Sequence, residues 1–340
     1  MRAMRLERIA PVTEGSHPLV ERQLDVPRPG PGQVLLRVLA CGVCHTELDE
    51  IEGRSAPPRL PVTPGHEVVG EIVEGGRRLA AGQRVGVAWI YSACGECDYC
   101  RKGLENLCPQ FRATGRDADG GYAEYLVVPE DFAYPLPERF SNEQAAPLLC
   151  AGAVGYRSLV LCQLQDGQPL GLTGFGASGH LVLQLARRRY PASPVYVFAR
   201  NPAEREFALQ LGASWAGDTA ATPPQSPAAI IDTTPAWRPV LEALGHLQPG
   251  GRLVINAIRK EAGDSQLLAG LDYPRQLWLE KELKSVANVT RRDVIDFLQL
   301  ADQAGLEAEV EVLPLQDANR ALVEMKTRRI RGAKVLVTDG

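Results

Sequence analysis

Several features are missing from the 340 residues. No apolar run approaches the ~20 residues that a membrane-crossing helix needs. No excess of one charge is present: 37 Lys and Arg stand against 41 Asp and Glu, a net charge of -4. That balance gives no reason to expect nucleic acid or an anionic membrane as a partner. Met1 to Arg8 alternates apolar and charged residues, so neither a signal peptide nor an anchor is expected there, and a cytoplasmic protein is. Internal repeats and low-complexity segments are absent as well. What is present is ordinary for a globular chain, with 45% apolar and 23% charged residues. The length favours two domains. Cysteine is not scarce: there are eight, and several cluster. In a reducing compartment such clusters indicate metal ligands or buried thiols before disulfides.

The stretch Pro169 to Ala199 organises the rest. An apolar run ends in Gly174, Gly176 and Gly179, with Ala177 and Ser178 between them. A helical pattern follows, then the β-branched and aromatic run Val195–Phe198. Strand, glycine turn, helix and strand form the context of a dinucleotide-binding fingerprint. Gly174 permits a tight turn, Gly176 leaves room for a pyrophosphate, and Gly179 lets the helix approach the strand. The helix N-terminus adds N–H groups and a positive dipole. An ordinary glycine turn is the competing reading. The second strand ends Phe198-Ala199-Arg200-Asn201, without the carboxylate that binds a ribose 2′-OH in NAD enzymes. Arg200 suits a 2′-phosphate, so NADP(H) is favoured and NAD(H) remains possible.

Before this stretch the chain is rich in short β-type runs, glycine and proline. Val34–Ala40, Val68–Val73, Arg84–Val87 and Tyr125–Val128 read as strands of an all-β or barrel-like domain. Ser141 reads as a helix cap, and the apolar segment from Cys150 to Leu164 as a linking helix. From Gln168 to about Val289 strands and helices alternate, which predicts a doubly wound parallel sheet. The tail carries a helix, a strand, a helix and a last strand, and is expected to return to the first domain.

Two sets of cysteines stand out. Cys94, Cys97, Cys100 and Cys108 can close a tetrahedron around Zn²⁺, and a closed set leaves no position for substrate, so that zinc would be structural. An iron–sulfur cluster or free thiols compete. Cys44-His45-Thr46-Glu47, Gly65-His66-Glu67 and Cys150 are dispersed, and spacing alone does not join them. Cys41 and Cys44 also form a Cys-x-x-Cys, so a redox pair competes there.

Taken together and in this order, these motifs resemble the zinc-containing alcohol dehydrogenases of the medium-chain dehydrogenase/reductase superfamily, over essentially the full length. The resemblance implies a GroES-like catalytic domain from 1–150 and 290–340, with a structural zinc lobe at 91–110, and a Rossmann domain from 151–289. It implies two zinc ions per chain. Cys44, His66 and Cys150 correspond to the catalytic ligands, with Glu67 beside the metal. Glu47 corresponds to the acid that orients His66, Thr46 to the hydroxyl that hands on the substrate proton, and His45 to a group near the pyrophosphate. Cys41 and Cys162 are left over and read as buried thiols. Such enzymes oxidise an alcohol by transferring hydride to the nicotinamide, or reduce an aldehyde in reverse, and form homodimers or homotetramers.

One position departs from the pattern. Asp49 stands where many members carry the histidine that ends the proton relay, and an unperturbed Asp pKa of about 3.9 suits that role poorly. Trp89 and Tyr91 fall where the family places an aromatic that narrows the pocket; a slim primary alcohol then fits best, and a core tryptophan is the alternative. A polyol or cinnamyl-type dehydrogenase of the same superfamily, or a non-catalytic zinc and nucleotide sensor, are the other readings.

Overall fold

The computed structural model describes residues 1–327 and 332–338. In chain order it begins with strands β1 (Arg2–Leu6), β2 (Leu19–Gln23) and β3 (Gln33–Val43), followed by helix α1 (His45–Ile51). Strands β4 (Val68–Gly75), β5 (Arg84–Val87) and β6 (Ile90–Ser92) precede the short helix α2 (Asp98–Arg101). Then come β7 (Arg112–Ala113), β8 (Tyr125–Pro129), β9 (Ala133–Pro135), α3 (Asn142–Ala145) and α4 (Ala151–Cys162). The alternating part runs β10 (Leu170–Thr173), α5 (Ala177–Arg189), β11 (Val195–Phe198), α6 (Pro202–Gln210), β12 (Trp215–Gly217), β13 (Ala229–Asp232), α7 (Arg238–His246), β14 (Arg252–Ile255), α8 (Tyr273–Gln276) and β15 (Glu282–Ser285). The tail is α9 (Arg291–Ala304), β16 (Val310–Pro314), α10 (Ala318–Lys326) and β17 (Ala333–Val337).

Two compact units result. One takes Met1–Ala153, Val289–Asp302 and Glu307–Gly340; the other takes Val154–Asn288 and Gln303–Leu306. The first is built on a sheet ordered β16-β17-β3-β4-β5-β9, with β8 also paired to β3. β3 is its backbone. Val34, Leu36, Val38 and Ala40 point into a dry core and are at most 1% exposed. The tail closes on it, as Lys334 to Val337 pair antiparallel with Ala40 to Val43. β3 also runs past the expected Ala40 to Val43, carrying Cys41 into the sheet and delivering Cys44 to the N-terminus of α1.

The second unit is a six-stranded sheet ordered β12-β11-β10-β13-β14-β15. All its pairs are parallel. β10, β11 and β13 are buried at every position, as continuous apolar runs in a sheet covered on both faces should be. Strand β12 was not expected: its three residues carry little pattern of their own and are fixed by pairing with Tyr196–Phe198. One expectation needs correction. The helical stretch Asn142–Cys162 is long and apolar enough to cross a membrane, but 83% of its apolar window is buried within the protein, where Leu148, Leu149 and Ala153 are fully enclosed.

Candidate active site

Among the described residues, the ligand atoms of Cys44, His66, Glu67 and Cys150 all lie within 4.8 Å of one another. Residues from three distant stretches meet because of how β3, α1 and the turn before β4 are pinned. Glu47 is the pin. One carboxylate oxygen accepts the backbone N–H of Cys44 at 2.8 Å, which caps α1. The other meets Nδ1 of His66 at 2.6 Å. Both side chains are at most 1% exposed, so this contact is unscreened by water. The Nδ1–H donor fixes the ring and aims Nε2 into the cluster. Nε2 is buried and has no hydrogen-bond partner among the described residues. A buried ring nitrogen beside two cysteine sulfurs is a donor set that a soft cation fits.

The electrostatics agree with that. A hydrogen bond from Cys150 lowers Cys44 well below the usual thiol value, and the same bond raises Cys150. Burial opposes a charged His66, yet the Glu47 carboxylate lifts it well above the usual imidazole range. A cation entering the site therefore displaces protons. Burial, then the neighbouring Cys44, pushes Glu67 up. Its carboxylate occupies space that only glycine leaves open: a Cβ on Gly42 would sit 1.8 Å from Glu67 Oε2. Thr46 Oγ1 lies 3.6 Å from the Cys44 sulfur. Cys41 stands outside this group; its thiol packs against Gly65 and Gly121, and burial raises it.

The second group is Cys94, Cys97, Cys100 and Cys108, again with ligand atoms within 4.8 Å. The sulfur of Cys94 is 3.5 Å from that of Cys108 and 3.9 Å from that of Cys100. Thiolates at ~2.3 Å from one zinc ion lie about 3.8 Å apart in a tetrahedron, so the spacing fits. Backbone N–H groups of Cys97 and Gln110 point at the sulfurs of Cys94 and Cys108, both at 3.3 Å. The Glu96 and Cys97 amides bring Cys94 down to about 6, while burial pushes Cys100 up to about 12. Glu105, in the same loop, is held by Arg291 Nε at 2.9 Å.

In the other unit the glycine turn has the expected shape. Gly174 has φ +80 and packs so that a Cβ would meet Thr233 Oγ1 at 2.8 Å. A Cβ on Gly179 would lie 2.9 Å from the carbonyl oxygen of Gly174, while Gly176 faces open space. α5 begins at Ala177, followed by Ser178, and among the described residues no side chain caps it, so its first amides are unclaimed by a cap. Beyond β11, Ala199 is buried and Arg200 is exposed. Asn201 is occupied in part, since its side-chain oxygen caps α6 through the Ala203 amide at 3.0 Å. Arg205, not singled out in the sequence, fixes this corner by donating to the carbonyls of Ala199 and Arg200 at 2.8 and 3.0 Å.

Other residues fall less simply. His45 is exposed at the start of α1. Asp49 is buried and accepts from Arg54 Nε at 2.6 Å. Tyr91 is buried under Arg112, whereas Trp89 packs on Phe111 at 5.2 Å. Glu50 was missed. Its carboxylate is buried without a hydrogen bond among the described residues, and burial, then the charge of Glu47, pushes it well above the usual range. The sequence singled out Glu47 and Asp49 but not Glu50, although all three are buried on α1.

The comparisons with known proteins agree. Residues 30–138 match the alcohol dehydrogenase GroES-like domain family. The chain is 43% identical over 345 residues to a probable alcohol dehydrogenase, AdhA, of Mycobacterium tuberculosis, covering 99% of this chain and 97% of that one. It is 34% identical over 353 residues to an alcohol dehydrogenase of Geobacillus stearothermophilus, covering 97% and 99%. Its fold is similar to that of a cinnamyl alcohol dehydrogenase from Sorghum bicolor, with a TM-score of 0.82 and 28% identity over 99% of this chain and 97% of that one.

Proposed function

The chain belongs to the alcohol dehydrogenases of the medium-chain dehydrogenase/reductase superfamily, and on that premise we propose a zinc-dependent enzyme that passes hydride between a primary alcohol and NADP(H). The reading rests on one observation above the others: Cys44, His66 and Cys150 converge, with His66 Nε2 buried and unpartnered. Those three side chains would hold the catalytic Zn²⁺, and the four-cysteine loop would hold a structural one. When bound, catalytic zinc supplies Lewis acidity, which eases loss of a hydroxyl proton and polarises a carbonyl.

The rest falls to the chain. Glu47 keeps the proton on Nδ1 of His66, so that Nε2 stays available. Thr46 Oγ1 accepts the substrate's hydroxyl proton and passes its own outward. Asp49 is engaged by Arg54, and we assign it no base role. The N-terminal amides of α5 bind the pyrophosphate, and Arg200 pairs with the 2′-phosphate. We assign 1–150 and 290–340 to the catalytic domain and 151–289 to nucleotide binding; 328–331 and 339–340 lie outside the described residues. A cinnamyl-type substrate is the second reading, supported by the likeness to the sorghum enzyme.

The test is metal analysis together with steady-state kinetics using NADH and NADPH over a graded series of aldehydes. Two zinc ions per chain, turnover of slim primary aldehydes and a lower KM for NADPH are expected. A single zinc and no hydride transfer would instead fit a nucleotide-binding sensor. Arg200→Asp should raise the KM for NADPH far more than that for NADH; equal effects on both remove the NADP assignment.

A further inference from the structure

We infer that Lys260 is a positioning residue for the dinucleotide, acting through the loop that follows β13. This rests on the nucleotide reading of the Gly174 turn given above. β10 and β13 are the neighbouring strands at which the sheet order reverses, and the crevice beyond their carboxyl ends is where such sheets take their ligands. Both strands end in polar residues there. Asp232, the last residue of β13, is fully buried, and Oδ1 accepts from Thr173 Oγ1 at 2.6 Å and from Thr234 Oγ1 at 2.8 Å. Its other oxygen is bonded to Nζ of Lys260, whose side chain is 6% exposed. The same ammonium donates to the carbonyls of Thr234 and Ala236 at 2.6 and 3.3 Å. All three ammonium protons thus have acceptors, and the carboxylate is satisfied from both sides.

A buried ion pair of this kind does little for stability compared with apolar packing, but it fixes geometry. What it fixes here is the loop 233–236. That loop is the surface against which the first glycine of the turn is packed. Thr233 donates twice to the carbonyl of Thr173, at 2.9 Å from its amide and 3.0 Å from its hydroxyl. Gly174 follows directly, with Thr233 and Thr234 only 2.8 and 3.0 Å from where its Cβ would be. Releasing the loop lets it shift into the turn, and the pyrophosphate site loses its shape. The effect does not touch the adenosine ribose, so it is blind to the 2′-phosphate.

The experiment measures nucleotide Kd by fluorescence titration, together with melting temperature and zinc content, for the full-length chain. Lys260→Met should raise Kd for NADH and NADPH by the same factor, at least about tenfold, with zinc content unchanged. Because that variant strands the charge of Asp232, D232N/K260M is measured beside it: it should regain thermal stability while still binding both nucleotides weakly. Either variant binding both nucleotides within about twofold of the parent chain would overturn the inference, as would a loss confined to NADPH. A parent chain that binds neither nucleotide would overturn the nucleotide reading itself.

Discussion

The two sulfur clusters use the same atoms and are made in opposite ways. The four-cysteine loop is local. Its ligands come from one short run, are half-buried for the most part, and are oriented by amides of the same loop. The Cys44, His66 and Cys150 cluster is assembled from three distant stretches, and its ring nitrogen is sealed from water and oriented by one carboxylate. A local site can be complete before the fold is, and can stabilise the segment that carries it. A dispersed site exists only once β3, α1 and the turn before β4 are in place. The difference teaches which site could vary independently of the chemistry: on the proposed reading, the loop would serve stability and the buried cluster reaction.

The largest expected effect tests the buried cluster. His66→Ala should remove one zinc ion and lower kcat/KM by about 10³-fold or more, several kcal/mol of transition-state stabilisation, with the loop zinc retained. Metal analysis and steady-state kinetics read both; a variant that keeps its activity breaks the assignment. Cys100→Ser should do the reverse. It should release the other zinc and lower the melting temperature by about 10 °C, roughly 3 kcal/mol, yet leave turnover per folded molecule within about threefold. Calorimetry and active-site titration would show whether the two sites separate; a collapse of turnover in the folded fraction would show that they do not. The smallest effect sharpens the comparison. Glu47→Gln keeps an acceptor for the Cys44 amide but loses the charge facing His66, and should weaken zinc retention about 10–100-fold in chelator competition, at the buried site only. Equal release from both sites would mean that Glu47 acts on the fold and not on the ligand.

Much of this was legible in the residues. The strand, turn and helix around Gly174 announce themselves because glycine and the apolar periods are local signals. The four-cysteine loop is legible for the same reason. β3 overran its expected end because pairing with β4 carries it to Cys41 and pairing with β17 to Val43, and such pairing is not encoded in any one window. Glu50 escaped notice because acidic residues on a helix ordinarily face water, and only the surrounding elements bury it. Lys260 and Asp232 look like two unrelated charges in the chain; the parallel pairing of β13 with β10 and β14 makes them a pair.

By itself, then, the sequence determined the kinds of element, the two-part organisation and the metal-capable loop, because each is specified by spacing along one stretch of chain. The family resemblance implied that Cys44, His66 and Cys150 form one set with Glu47 on the imidazole, and the tertiary structure brings their ligand atoms within 4.8 Å of one another; it alone decided that Glu47 also caps α1 and that Asp49 is claimed by Arg54. Those are relations between side chains far apart in the chain, or turned toward each other only by folding, and no local pattern carries a distance.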